Sequence, residues 1–224
     1  MSIKYDSLLR NELSDNDNID DIKNMLRDEA EKCIFEDFSC TVKVIRKILS
    51  LTHSIQQEIF WNKFYKFIKN IKTDPEFEAK FAAKIANAEN KYDYARRIIT
   101  IIDKIEEEQK IDYIINATRA LCWDNINYNQ YFRICLAIEK TFIDDLLFIK
   151  KNYDKNACFP GTIEAVSLTL NGLMYQYINV APTLAQIANP SEINDNAPKT
   201  HRFTELGSWV YNMALNYEKD KYLK

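Results

Sequence analysis

Three glycines and five prolines in 224 residues leave this chain few places to turn. Glycine opens positive-φ conformations at no steric cost, and proline interrupts helical hydrogen bonding. Their scarcity therefore favours long helices over a many-turned β architecture. Three of the prolines fall together in "VAPTLAQIANPSEINDNAPK" (180–199), which reads as a loop or wing-like excursion. With 46% hydrophobic and 28% charged residues, the remainder has the composition of a globular chain with a sizeable core.

Charge is laid out in blocks. Residues 1–40 hold 5 basic and 11 acidic side chains, and "LSDNDNIDDIKNMLRDEAEKC" reads as a helix start capped by Ser14 or Asp15, with acids suiting the positive end of the helix dipole. An EF-hand does not fit, because the sixth position lacks Gly and the twelfth from Asp15 is Leu26 rather than Glu. Residues 41–72 invert the sign, with 7 basic side chains and 1 acidic. Their apolar positions, Phe60, Phe64, Phe67, Ile68 and Ile71 among them, recur at helical spacing, and the lysines take mostly the other faces. Trp61 and Tyr65 fall off that stripe and are expected at the surface beside Lys63, Lys66 and Lys69.

Further helices are expected through residue 158. "TDPEFEAKFAAKIANA" opens with Thr73 or Asp74 as cap and Pro75 in the first turn. "KYDYARRIITIIDKIEE", "EQKIDYIINATRALCWDN" and "NYNQYFRICLAIEKTFIDDLLFIKKN" follow, joined by short polar breaks of the kind that link packed neighbours. After the turn signal "CFPG", Thr162–Asn179 reads as a helix interrupted at Gly172. "THRF" reads as a short strand. A closing helix then starts at Thr204, with Gly207 allowing close approach of a neighbour.

The segments "FIDDLLFI" (Phe142–Ile149) and "FTELG" (Phe203–Gly207) resemble a scattered group of uncharacterised bacterial and mobile-element proteins. That group has a helical core and a winged-helix-like C-terminal unit ending in Leu/Phe-Thr-x-Leu-Gly. The resemblance spans Phe60 to Leu215. It implies an all-α fold: a helical array over 1–158, and a small winged-helix-like unit over 159–224, packed on it and holding at most a short hairpin. A DNA-reading helix needs Arg, Lys, Asn or Gln at base edges and cations for phosphate. Thr162–Asn179 has no Lys or Arg, so this unit is expected to be structural or protein-binding.

Chemistry-bearing patterns are sparse. His53 and His201 stand in no HExxH or His–Cys cluster, and Gly161, Gly172 and Gly207 form neither a P-loop nor a dinucleotide fingerprint, so no metal or cofactor is expected. Cys33 and Cys40 would lie about 10 Å apart on one helix, beyond disulfide reach. Reduced thiols and a cytoplasmic setting follow. Cys122 and Cys135 read as core residues, and Cys158 as exposed. Glu106–Glu108 occupies an interhelical break, and Asp144 and Asp145 point about 100° apart on a helix, so both acid clusters read as structural.

The leading expectation is a non-enzymatic protein-interaction module with Trp61, Tyr65, Lys66 and Trp209 in contact with a protein partner. The resemblance implies an accessory role in bacterial defence or phage counter-defence. The second reading is a nucleic-acid binder using Lys63, Lys66 and Lys69 on the basic 41–72 helix. The third is a peripheral membrane protein lying on anionic lipid through the same segment.

Overall fold

The computed structural model describes residues 55–88, 91–178 and 199–218. Of the described residues 71% are helical, and the remaining regular structure is one small antiparallel sheet. The elements run α1 (Ile55–Thr73), α2 (Pro75–Ala86), α3 (Lys91–Lys104), α4 (Gln109–Cys122), α5 (Tyr128–Lys140) and α6 (Ile143–Asn152). They continue β1 (Phe159–Pro160), α7 (Ile163–Leu170), β2 (Met174–Ile178), β3 (Lys199–Phe203), α8 (Glu205–Val210) and a π-helical segment, Tyr211–Leu215. The expected capped helix after Ser14, the basic stretch 41–54 and the proline-rich 180–198 lie outside the described residues. The chain divides into two compact units, Met1–Lys69 with Ala82–Asp103, and Asn70–Phe81 with Lys104–Lys224. The helices α4, α5 and α6 belong to the same unit as the sheet.

In the first unit the buried apolar residues include Trp61, Phe64, Phe67, Ile68, Ile85, Ile98, Ile99 and Ile102. Trp61 meets Phe64 edge-on, with ring centroids 5.7 Å apart. Among the described residues this core has one charged intruder. Lys63 is buried, and its Nζ donates to the Asp103 carbonyl at 2.9 Å. Asp103 lies in the last turn of α3, where carbonyls lack intrahelical partners, so the ammonium caps that helix end.

The second unit opens as its sequence dictates. Asp74 Oδ1 accepts the Glu76 and Phe77 amides at 3.1 and 3.2 Å, and Pro75 occupies the first helical position. Arg119 ties this cap to α4, pairing with Asp74 at 3.2 Å while lying 4.4 Å over the Phe77 ring. The helix α4 is the central element, with Ile111, Ile114, Ile115, Ala117, Ala120 and Leu121 all buried. Its neighbour α5 starts with a capping box between Asn127 and Gln130, which satisfies two orphan amides reciprocally.

Glycine decides the C-terminal topology. Instead of the expected helix to Asn179, α7 stops at Leu170. Gly172 takes φ +74°, its amide bonds Thr169 O at 3.0 Å, and the Leu173 amide bonds Leu168 O at 2.8 Å. This is the Schellman arrangement, which closes a helix and turns the chain. The residues beyond it alternate and pair as β2 with β3, Tyr175 opposite Arg202 and Tyr177 opposite Thr200. The two-residue β1 adds to the other side of β3, Phe159 opposite His201, giving the order β1-β3-β2. Thr204 then caps α8, accepting from the Gly207 amide at 3.0 Å and donating to Gly172 O at 2.8 Å. At Gly207 a Cβ would collide with the Leu173 carbonyl oxygen, which is the close approach the sequence implied. The π-helical segment is held to α4 by Asn116, which donates to Ala214 O at 2.8 Å. Rings continue the packing: Tyr153 stacks on Tyr211 at 4.1 Å and meets Phe203 at 5.0 Å, which in turn meets Phe159 at 5.4 Å.

Candidate interaction surfaces

The helix α7 is apolar on both sides. Its segment "TIEAVSLTL" begins with Thr162 as cap, accepting from the Ala165 amide at 3.3 Å. Ala165 and Leu168 are fully buried against the unit. On the opposite side, at positions i, i+3 and i+7, stand Ile163 (83% exposed), Val166 (46%) and Leu170 (84%). Ser167 fixes the helix laterally, donating to Asp145 Oδ2 on α6 at 2.6 Å. Scattered exposed apolar residues are ordinary on a protein surface, but aligned ones on a single helix face define a patch. The stripe spans about 10 Å, seven residues at helical rise, and carries no charge.

The sheet carries a second surface. Side chains alternate along a strand, so Phe159, His201, Phe203 and Met174 point one way, and the last three are buried. Cys158, Pro160, Thr200, Arg202, Tyr175 and Tyr177 occupy the other face. Arg202 donates from Nε to Cys158 Sγ at 3.0 Å and lies 4.4 Å over the Tyr177 ring. The hydrogen bond to that sulfur is the first cause of a raised guanidinium pKa. Tyr175 is 44% exposed.

Of the residues expected to meet a partner, Tyr65 and Lys66 are half-buried in the first unit, and Trp209 is half-buried on α8 of the second. Trp61 is not at the surface. The buried stripe of α1 runs through Trp61, Phe64, Phe67, Ile68 and Ile71, while Phe60 is partly exposed and Ile59 faces solvent. The expected stripe included Phe60 and left Trp61 outside it; in the structure Trp61 takes the buried side and Phe60 stands at its edge. Lys63 is likewise removed from the expected nucleic-acid ridge: burial lowers its pKa, a shift the Asp103 charge partly opposes, and its amine is engaged at the end of α3. Lys66 and Lys69 remain, with Lys69 Nζ 5.9 Å from the Tyr65 ring centroid.

His201 is buried on the inner face of β3, and its Nδ1 has no hydrogen-bond partner. It projects away from Cys158, whose partner residue is the adjacent Arg202, so thiol and imidazole do not pair. His53 lies outside the described residues. Cys122 and Cys135 are core residues, and burial pushes the Cys135 thiol up to about 12 despite a hydrogen bond with Tyr131. Glu106 and Glu108 are exposed in the break between α3 and α4, while Glu107 pairs with buried Lys110 at 2.7 Å. Asp145 is bonded to Ser167 and Asp144 faces solvent, so the two acids do not converge. Among the described residues no group of three or more His, Cys, Asp or Glu is placed to hold a metal, and no helix is long and apolar enough to cross a membrane.

Sequence reasoning missed both surfaces. For α7 the sequence shows apolar residues on two sides of the helix, Ala165 and Leu168 on one and Ile163, Val166 and Leu170 on the other, without saying which side is covered. For the sheet the signal was the period-two alternation of "MYQYI", hidden by extending the preceding helix through Gly172. No family model, curated protein or solved structure matches the chain.

Proposed function

We propose that this chain is a non-enzymatic protein-interaction module that docks a partner on the outward face of α7. The observation that carries this reading is the uncharged stripe of Ile163, Val166 and Leu170 standing in water. Arrangement supports it too. A short strand, a helix and a hairpin with sheet order β1-β3-β2 support reading the C-terminal part as winged-helix-like. In that reading α7 takes the place of the groove-entering helix. Its outward residues offer nothing to base edges or phosphates, whereas they suit the apolar stripe of a partner helix or groove. Tyr65, Lys66 and Trp209 stay as further contact candidates. The resemblance of "FIDDLLFI" and "FTELG" supports an accessory role in bacterial defence or phage counter-defence.

The test is purification from the native host of wild type beside an Ile163→Asp, Leu170→Asp double variant of equal circular dichroism. The reading expects a stoichiometric protein with the wild type that is absent from the variant. Equal recovery of that protein by both would refute it.

A further inference from the structure

A different surface offers chemistry that α7 lacks. The geometry points to the outer face of the sheet, centred on Tyr175 and Arg202, as a binding site for single-stranded nucleic acid. It requires nothing of α7. Three features of the face select this ligand.

The first is the state of Arg202. Its Nε is taken by Cys158 Sγ at 3.0 Å and its plane rests 4.4 Å over Tyr177. Sulfur and ring together hold the guanidinium in place. Its terminal amino groups make no bond to another described residue, and they form the fork that recognises phosphate bidentately. Holding the fork in advance reduces the ordering cost of binding.

The second is charge. Cys158, Pro160, Thr200, Tyr175 and Tyr177 share the face with Arg202, and none is acidic. The guanidinium charge is unmatched there and is complementary to an anion.

The third is spacing. Tyr175 stands opposite Arg202 in the register, and Tyr177 is one β repeat further along. That repeat is about 6.8 Å, twice the roughly 3.4 Å per nucleotide of a stacked strand. The guanidinium rests over Tyr177, so the phosphate fork and the open Tyr175 ring stand about one such repeat apart, a step that an unstacked, extended strand spans. A duplex keeps its bases inside and presents no face to the ring. Exposed sheet aromatics that stack splayed bases are a general solution for single-stranded recognition. An acidic peptide would satisfy Arg202 but leave Tyr175 unused.

One phosphate contact gives weak binding with little salt dependence: the slope of log K against log salt should be about −0.7. Fluorescence anisotropy with labelled ten-nucleotide uridine and adenosine RNAs, and the matching DNAs, measures this on the full chain. Tyr175→Phe keeps the stacking face and should bind as wild type. Tyr175→Ile keeps strand propensity but removes the ring, and should weaken binding ~5- to 150-fold. Arg202→Lys keeps the charge but loses the fork and should weaken it too, whereas Arg133→Ala, which removes a charge elsewhere, on α5, should leave it unchanged. Any of three results would overturn the proposal: no saturable binding by wild type, wild-type affinity in Tyr175→Ile, or tighter binding of a duplex or of a phosphotyrosine or polyglutamate peptide than of the single strand.

Discussion

The chain's three glycines give an ordered stability series, because the structure assigns each a different environment. A Cβ at Gly207 meets the Leu173 carbonyl oxygen head-on, and the Phe203 ring at 3.3 Å. The obstacle is backbone, so α8 and the β2 end must separate. Overpacking of this kind costs about 1–3 kcal/mol. Separation also stretches the Thr204 bond to Gly172 O, worth about 1 kcal/mol. The better helix propensity of alanine returns about 1 kcal/mol. Gly207→Ala should therefore destabilise by ~1–3 kcal/mol. At Gly172 a Cβ meets nothing within 4 Å, and the cost comes from φ +74° alone. The left-handed penalty of about 1–2 kcal/mol, less the unfolded-state gain of about 0.4–1 kcal/mol, leaves ~0–1.6 kcal/mol. At Gly161 the only neighbour among the described residues is His201 Cε1 at an ordinary 3.7 Å, so the change should stay within about 0.5 kcal/mol. Urea unfolding followed by circular dichroism and tryptophan fluorescence ranks the three alanine variants. Melting points should move by about 2–4 °C per kcal/mol. A Gly207→Ala protein as stable as wild type, or less affected than Gly161→Ala, would refute the close packing of α8 on the β2 entry.

Docking on α7 has a calculable size: at 84% exposure Leu170 has nearly its full burial still to gain, so Leu170→Ala should weaken partner binding by about 1–2 kcal/mol, ~5- to 30-fold by calorimetry, and leave unfolding unchanged. Lys63 should make stability rise with alkaline pH. Its folded pKa lies below the ordinary lysine value of 10.5, so between the two the unfolded chain binds more protons, and the stability is lost as pH falls through the folded value; Lys63→Met should flatten that rise in urea midpoints measured from pH 7 to 11. Alkylation at pH 8 with mass-spectrometric readout should modify Cys158 in the native protein, while Cys122 and Cys135 react only on unfolding; native labelling of Cys135 would contradict its burial. Asn127→Ala should cost about 1 kcal/mol through loss of the capping box, measured by the same urea titration.

What the sequence disclosed was local chemistry. Asp74 and Pro75 start α2, Thr204 caps α8, and Gly207 permits close contact; each follows from a residue and its immediate neighbours. The polar breaks at Glu106–Glu108 and before Tyr128 fall between helices for the same reason. Tertiary determinants stayed hidden. Lys63 is buried because an unsatisfied carbonyl lies forty residues away at Asp103, which no helical pattern around Lys63 encodes. Trp61 was placed outside because three phenylalanines dominated the apparent stripe, although Trp61, Phe64 and Ile68 also follow helical spacing. The strand at Met174–Ile178 was concealed because "MYQYI" is apolar enough to continue a helix. The pairing with β3 and the left-handed turn at Gly172 made it a strand instead. The exposed stripe of α7 could not be told from a core stripe by sequence, since Ile163 and Leu168 differ only in which side the unit covers.

A partner seated on α7 must cover Ile163, Val166 and Leu170. Carbene footprinting of the chain, free and in complex with the protein recovered from its host, reads those side chains directly. Labelling of the 163–170 peptide should fall several-fold in the complex while the Tyr128–Lys140 helix is unchanged. Full labelling of 163–170 in the complex, with protection appearing elsewhere, would contradict the account.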